Sequence, residues 1–193
     1  MISRVDVRSY YAEDWGTPDR EAFFQKGKYI IGVLKWQASD CTQGVNVYAT
    51  VGASDYSLPG FGMEHRQEFF VGLAPECDEI ASPLARLGIY AQLAGRSLAA
   101  GHAYSAPQGL IEGSDLSGFI LLAPLDGMPA PVELADGRHV DFLMAIPVFK
   151  EELEFASKHG VDCLMGAMES SQVPFWNPTR RSLFDSKQEV NNP

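Results

Sequence analysis

Hydrophobic and polar positions change period several times along the 193-residue chain, and each change marks an element. Residues 29–36 (YIIGVLKW) are apolar on both alternating faces, so they predict a strand covered on each side. Residues 45–52 alternate cleanly, with Val45, Val47, Ala49 and Val51 on one face and Asn46, Tyr48 and Thr50 on the other. Residues 66–73 repeat the pattern, placing Phe69, Val71 and Leu73 opposite Arg66, Glu68 and Phe70. A fourth run, 117–122, is short and apolar. The longest, from Val140 to Ile146, is broken only by Asp141 and predicts a buried strand that Pro147 ends, because proline has no N–H to give a ladder. Asp136-Gly137 is a hairpin signal joining residues 131–134 to that strand.

Helical signals lie between and around these runs. Thr17-Pro18-Asp19 reads as a cap, a first-turn proline and a dipole-favoured acid, predicting a helix through Phe23 and Phe24 to Gly27. Before it, Tyr10, Tyr11 and Trp15 sit in a polar leader, where they cover the edge of the core or join a binding face. Ser82-Pro83 opens a predicted long helix with an apolar stripe at Leu84, Leu87, Ala91, Ala94 and Leu98, ending at Gly101. Gly88 and Gly95 inside it point to close packing. Residues 149–159 carry Glu151, Glu152 and Glu154 early and Lys158-His159 late, the charge order a helix dipole favours, with Gly160 after the end. Strands before and after one long helix predict an α+β domain with a mixed sheet. Residues 1–27 form an N-terminal arm and helix, 28–181 the domain, and 182–193 a flexible tail, frayed from Ser186 onward.

The net charge of -10 (15 Lys and Arg against 25 Asp and Glu) argues against a nucleic-acid or anionic-membrane partner and suits a basic protein. The first residues are too polar for a signal peptide, and no apolar run reaches membrane-spanning length. Cys41, Cys77 and Cys163 share no metal or redox spacing, and read as reduced thiols of a cytoplasmic protein.

Catalytic signatures are weak. Gly52-Ala53-Ser54-Asp55 lacks the lysine of a phosphate loop, and no serine is tied by spacing to a histidine and a carboxylate. The one enzymatic constellation to weigh is a metal-assisted hydrolase using His65, Glu68, His139 and Asp141, since His139 and Asp141 share a strand face. The carboxylates at Glu76, Asp78 and Glu79, and at 151–154, fit solvated helix starts.

Thr50-Val51-Gly52-Ala53-Ser54, then Arg66-Gln67-Glu68-Phe69, then Gly101-His102, and finally Phe142 to Val148 with Glu151-Glu152, occur in an order that resembles the suppressor of fused domain family over residues 28–181. The resemblance implies a compact α+β domain without cofactor or catalysis. In animals such domains bind a transcription factor of the Hedgehog pathway and carry a second domain for which this chain is too short. Bacterial single-domain relatives resemble immunity proteins that neutralise toxins. The expected function is therefore protein binding, with a basic toxin as the partner. The faces to consider are the loop holding Asp55, Tyr56 and Phe61, and the tail aromatics Phe175 and Trp176.

Overall fold

The computed structural model describes residues 4–134 and 137–185, with side chains from Val7 onward. The chain runs α1 (Arg4–Trp15), β1 (Arg20–Lys26), β2 (Tyr29–Trp36), β3 (Asn46–Val51) and β4 (His65–Leu73). It continues through a 3-10 turn (Asp78–Ile80) into α2 (Ala81–Gly88), α3 (Tyr90–Ala94), β5 (Ala103–Ser105), β6 (Leu116–Leu122), β7 (Val132–Glu133), β8 (His139–Phe149), α4 (Lys150–His159) and α5 (Val161–Ser170). The strands form one sheet in the order β1-β2-β3-β4-β8-β6-β5, with β7 alongside β8. Every pairing is antiparallel except β4 with β8. This is the mixed-sheet α+β architecture that the strand order predicts.

Both faces of the sheet are buried. On one, α2 sets Leu84 and Leu87 against Ile31, Val33, Val71 and Leu143. On the other, α1 sets Val7, Tyr11 and Trp15 against Leu34, Trp36, Ala49 and Phe142, with Leu164 and Met168 of α5 in the same core. Covering on both sides explains why β2, β3, β4 and β8 read as near-continuous apolar runs.

Three expectations are corrected. Residues 20–26 are a strand, not a helix: REAFFQK alternates and pairs along its whole length with β2, and Gly27 (φ 60°) makes the turn between them. The helix lies earlier, where Val7, Tyr11 and Trp15 recur at i, i+4 and i+8 and bury one stripe. The long helix is two short ones broken at Ile89 (φ -103°, ψ 1°), and Gly95 in the left-handed region stops the second. Gly88 does pack closely, since a Cβ there would lie 3.4 Å from Ala53 and Ile31. Lastly, β8 continues through Pro147 to Phe149. Pro147 sits opposite Phe119 of β6, while the ladder to β4 stops at Phe70 and Met144. Its carbonyl points away from β6, to Arg180 (3.0 Å), so the missing N–H falls on the side of β8 where, among the described residues, no strand pairs.

The hairpin between β7 and β8 forms, in the register Val132 to Val140 and Glu133 to His139, with Gly137 at φ 80°. Asp136, and the tail from Ser186 that was expected to fray, lie outside the described residues.

Candidate functional site

Two buried carboxylates fix the positions of the surface segments. Glu68, fully buried on β4, accepts four hydrogen bonds: from the Gly52 and Ser54 amides (2.9 and 3.0 Å) and from the Ser54 and Thr50 hydroxyls (both 2.6 Å). Thr50 Oγ1 in turn accepts the Phe69 amide (2.8 Å), and Tyr11 donates to the Thr50 carbonyl (3.1 Å). Burial raises the Glu68 carboxyl to about 7, against the four donors, which pull it down. Burial, and then the charge of Glu68, raises the Tyr11 hydroxyl well above its usual value. The Thr50–Ser54 and Glu68 motifs are therefore the two halves of one clamp on the end of β3, from which the 53–64 loop departs.

The second clamp is Glu152, expected on a solvated helix face but in fact fully buried. Arg180 grips it with both terminal nitrogens (2.7 Å each), and the Phe149 and Leu183 amides donate to it at 3.0 and 2.8 Å. Arg180 also donates to the carbonyls of Pro147 and Arg181 (3.0 Å each), and its guanidinium lies 4.8 Å from the Phe149 ring centre. A fork–fork pair of this kind is directional, so it fixes where the chain after α5 crosses the sheet.

The nominated binding residues fall at opposite ends of β4. At the His65 end, Tyr56 accepts the Ile30 amide (3.1 Å) and packs edge-on to Tyr29 at 5.0 Å. Asp55 is half-buried. Phe61 is 54% exposed and stands 5.9 Å from the His65 ring. His65 is the register partner of His139 (5.8 Å between rings), and His139 meets Asp141 at 3.0 Å. Three of the four groups nominated for a metal are thus neighbours, but Glu68 is held in its clamp. Among the described residues no cluster of three or more His, Cys, Asp or Glu could hold an ion.

At the other end, just beyond Leu73, Phe175 and Trp176 pack edge-on at 5.1 Å, and the Trp176 carbonyl accepts the Ala74 amide at 2.9 Å. They wall an apolar groove of about 400 Å³. Its floor lies where β4 and β8 part company: Val47, Phe70 and Gly72 on one side, Met144 and Ile146 on the other. Buried Trp15 and exposed Leu125 line the groove too, together with Met128. The sequence points to Phe175 and Trp176, and to Trp15 as either core-edge cover or part of a binding face, but not to Leu125 or Met128; these residues come together only through the sheet. No helix among the described residues is long and apolar enough to cross a membrane.

A mixed sheet buried on both faces, clamped by two buried carboxylates and carrying an apolar groove beside β4 and β8, defines an α+β module. Residues 28–181 match the family model of the Suppressor of fused protein (SUFU), and the chain belongs to that family. It is 26% identical over 145 residues to the Immunity protein YqcF of Bacillus subtilis (strain 168), covering 73% of this chain and 76% of that one. The fold is similar to a SUFU homologue from Neisseria gonorrhoeae (TM-score 0.69, 19% identity, 93% of this chain and 96% of that one). It is equally similar to a chain of the Sufu-Fu complex (TM-score 0.69, 16% identity, 93% and 91%). Against Drosophila Suppressor of Fused (TM-score 0.61, 18% identity) the likeness covers 80% of this chain but 43% of that one, so this chain spans less than half of the fly protein.

Proposed function

We propose that this protein is an immunity-type member of the family, which neutralises a basic toxin by direct binding and catalyses no reaction. The observation that carries this is the likeness to Immunity protein YqcF across most of both chains. A net charge of -10 supports it, because an acidic surface steers a basic partner and raises the association rate. The contacts come from one of two faces, Asp55, Tyr56 and Phe61 in the loop or Phe175 and Trp176 at the groove; Phe61 and Trp176 leave large apolar surface in solvent on each. We place the protein in the cytoplasm, where the free thiols of Cys41 and Cys163, both exposed, would stay reduced. The proposal predicts a toxin gene beside this one, and the test is growth of cells expressing that toxin. Co-expression of this chain restores growth under the proposal; failure to protect against that toxin refutes it.

A further inference from the structure

The two faces differ in shape and in charge, and the difference selects both the site and the occupant. Gly72 lets Val45 lie against the strand where β4 and β8 diverge, because a Cβ on Gly72 would come within 2.7 Å of Val45 Cγ2, and both residues line the groove. On the lips, Leu125 is 54% and Trp176 43% exposed, large apolar groups held beside an apolar floor. Trp176 is fixed in advance by its backbone bond to Ala74 and its contact with Phe175, so docking against it costs little ordering. The segments that build the rim, 12–16, 39–47, 123–130 and 173–178, contain Glu13, Asp14, Asp40 and Asp126 and no lysine or arginine. The loop face is mixed instead, placing Asp55, Glu64 and Asp141 alongside His65, His139 and Arg138.

From this we infer that the groove between Trp15, Leu125 and Trp176 is the docking site, and that it takes one segment of a partner protein with apolar side chains at its centre and Lys or Arg on either side. The inference rests on the binding reading above. A groove of about 400 Å³ matches the volume of a small-ligand pocket, so it admits a few side chains of a protruding segment rather than a broad surface. A second copy of this chain would bring the same acidic rim against itself. The chain's own last residues, SKQEVNNP, offer only Val190 as an apolar anchor.

The probes are three short labelled peptides, alternating Leu with Lys, Leu with Glu, and Ser with Lys, titrated against the full chain by fluorescence polarisation. The Leu/Lys peptide binds at least about tenfold tighter than either other, and its affinity falls as salt is raised. Trp176→Ala and Leu125→Ala each weaken it about tenfold; Asp40→Lys with Asp126→Lys weakens it comparably; Phe23→Ala, far along the sheet at β1, changes it less than about twofold. Unchanged unfolding midpoints confirm that these surface variants stay folded. Equal binding of the three peptides overturns the inference, as does sensitivity to Phe61→Ala with none to Trp176→Ala. The growth assay separates the two levels. Full protection by the Trp176→Ala chain refutes the groove and leaves the toxin reading standing, whereas no protection by the unaltered chain refutes that reading while the peptide result is judged by itself.

Discussion

Replacing Arg180 by Met removes the cation that grips Glu152. The carboxylate loses two bonds of 2.7 Å and keeps only the Phe149 and Leu183 amides, inside a site that solvent does not reach. Breaking a buried pair on one side costs about 3–5 kcal/mol, because the remaining charge is left without its compensation. The carbonyls of Pro147 and Arg181 also lose a donor, which adds to the cost and pushes it toward the upper end of that range. At this chain length about 1 kcal/mol moves the melting temperature by about 2–4 °C, so a fall of roughly 10 °C or more is expected. Urea unfolding followed by tryptophan fluorescence gives the free energy directly. Glu152→Leu alone strands the guanidinium and costs a similar amount, while the double variant, which buries neither charge, costs clearly less than the two singles added. A loss under about 1 kcal/mol for Arg180→Met, or strict additivity of the singles, refutes the view that this pair fixes the end of the domain.

Glu68 carries a pH signature whose sign is fixed by its position. Its folded carboxyl sits at about 7, above the usual 4.5, so its contribution is full below about 4.5 and is lost as pH rises through 7. That is roughly 3 kcal/mol at about 1.4 kcal/mol per pH unit. The gap in unfolding free energy between the parent and Glu68→Gln should therefore move against the parent by that order between pH 4.5 and 7.5; parallel pH profiles contradict it. Gly118→Ala should unfold the β5–β6 edge, because a Cβ there would lie 2.1 Å from the Tyr104 carbonyl oxygen. Loss of amide-exchange protection in β5 and β6 reads this out, and parent-like protection refutes it. Trp15→Ala should cost about 3–5 kcal/mol in urea unfolding, since the ring lies 5.1–5.5 Å from Trp36, Tyr11 and Phe70; a cost under about 1 kcal/mol would mean α1 is not docked.

The central strands were legible because both of their faces are buried, so each shows as an apolar run whose ends the turns mark. β2 falls on the predicted residues 29–36, and β3 and β4 within one residue of theirs. What misled was local chemistry overruled by tertiary pairing. Thr17-Pro18-Asp19 carries the marks of a helix start, but REAFFQK gains a full ladder with β2 by extending. Pro147 stops a ladder only on the side where its N–H would point, and which side that is cannot be read from one strand alone. α1 was readable from the i, i+4, i+8 spacing of Val7, Tyr11 and Trp15, a signal hidden by the polar residues around it. The clamps were invisible for another reason. Glu152 and Arg180 stand 28 positions apart, and Glu68 lies 14 beyond Ser54, so nothing local distinguishes them from solvated charges. The groove was half legible: its aromatics stand out in a polar tail, but its floor exists only once β4 and β8 lie side by side.

The account rests on binding rather than chemistry, and titrating toxin activity against this protein tests that most directly. If the proposed function holds, a fixed amount of a purified toxin that this chain protects against is mixed with increasing amounts of this chain, and residual activity is measured together with the intact mass of both proteins. The account predicts a linear loss of activity ending at one chain per toxin, with neither mass changed. Inactivation of many toxin molecules by one chain, or a new covalent mass on the toxin, would contradict it.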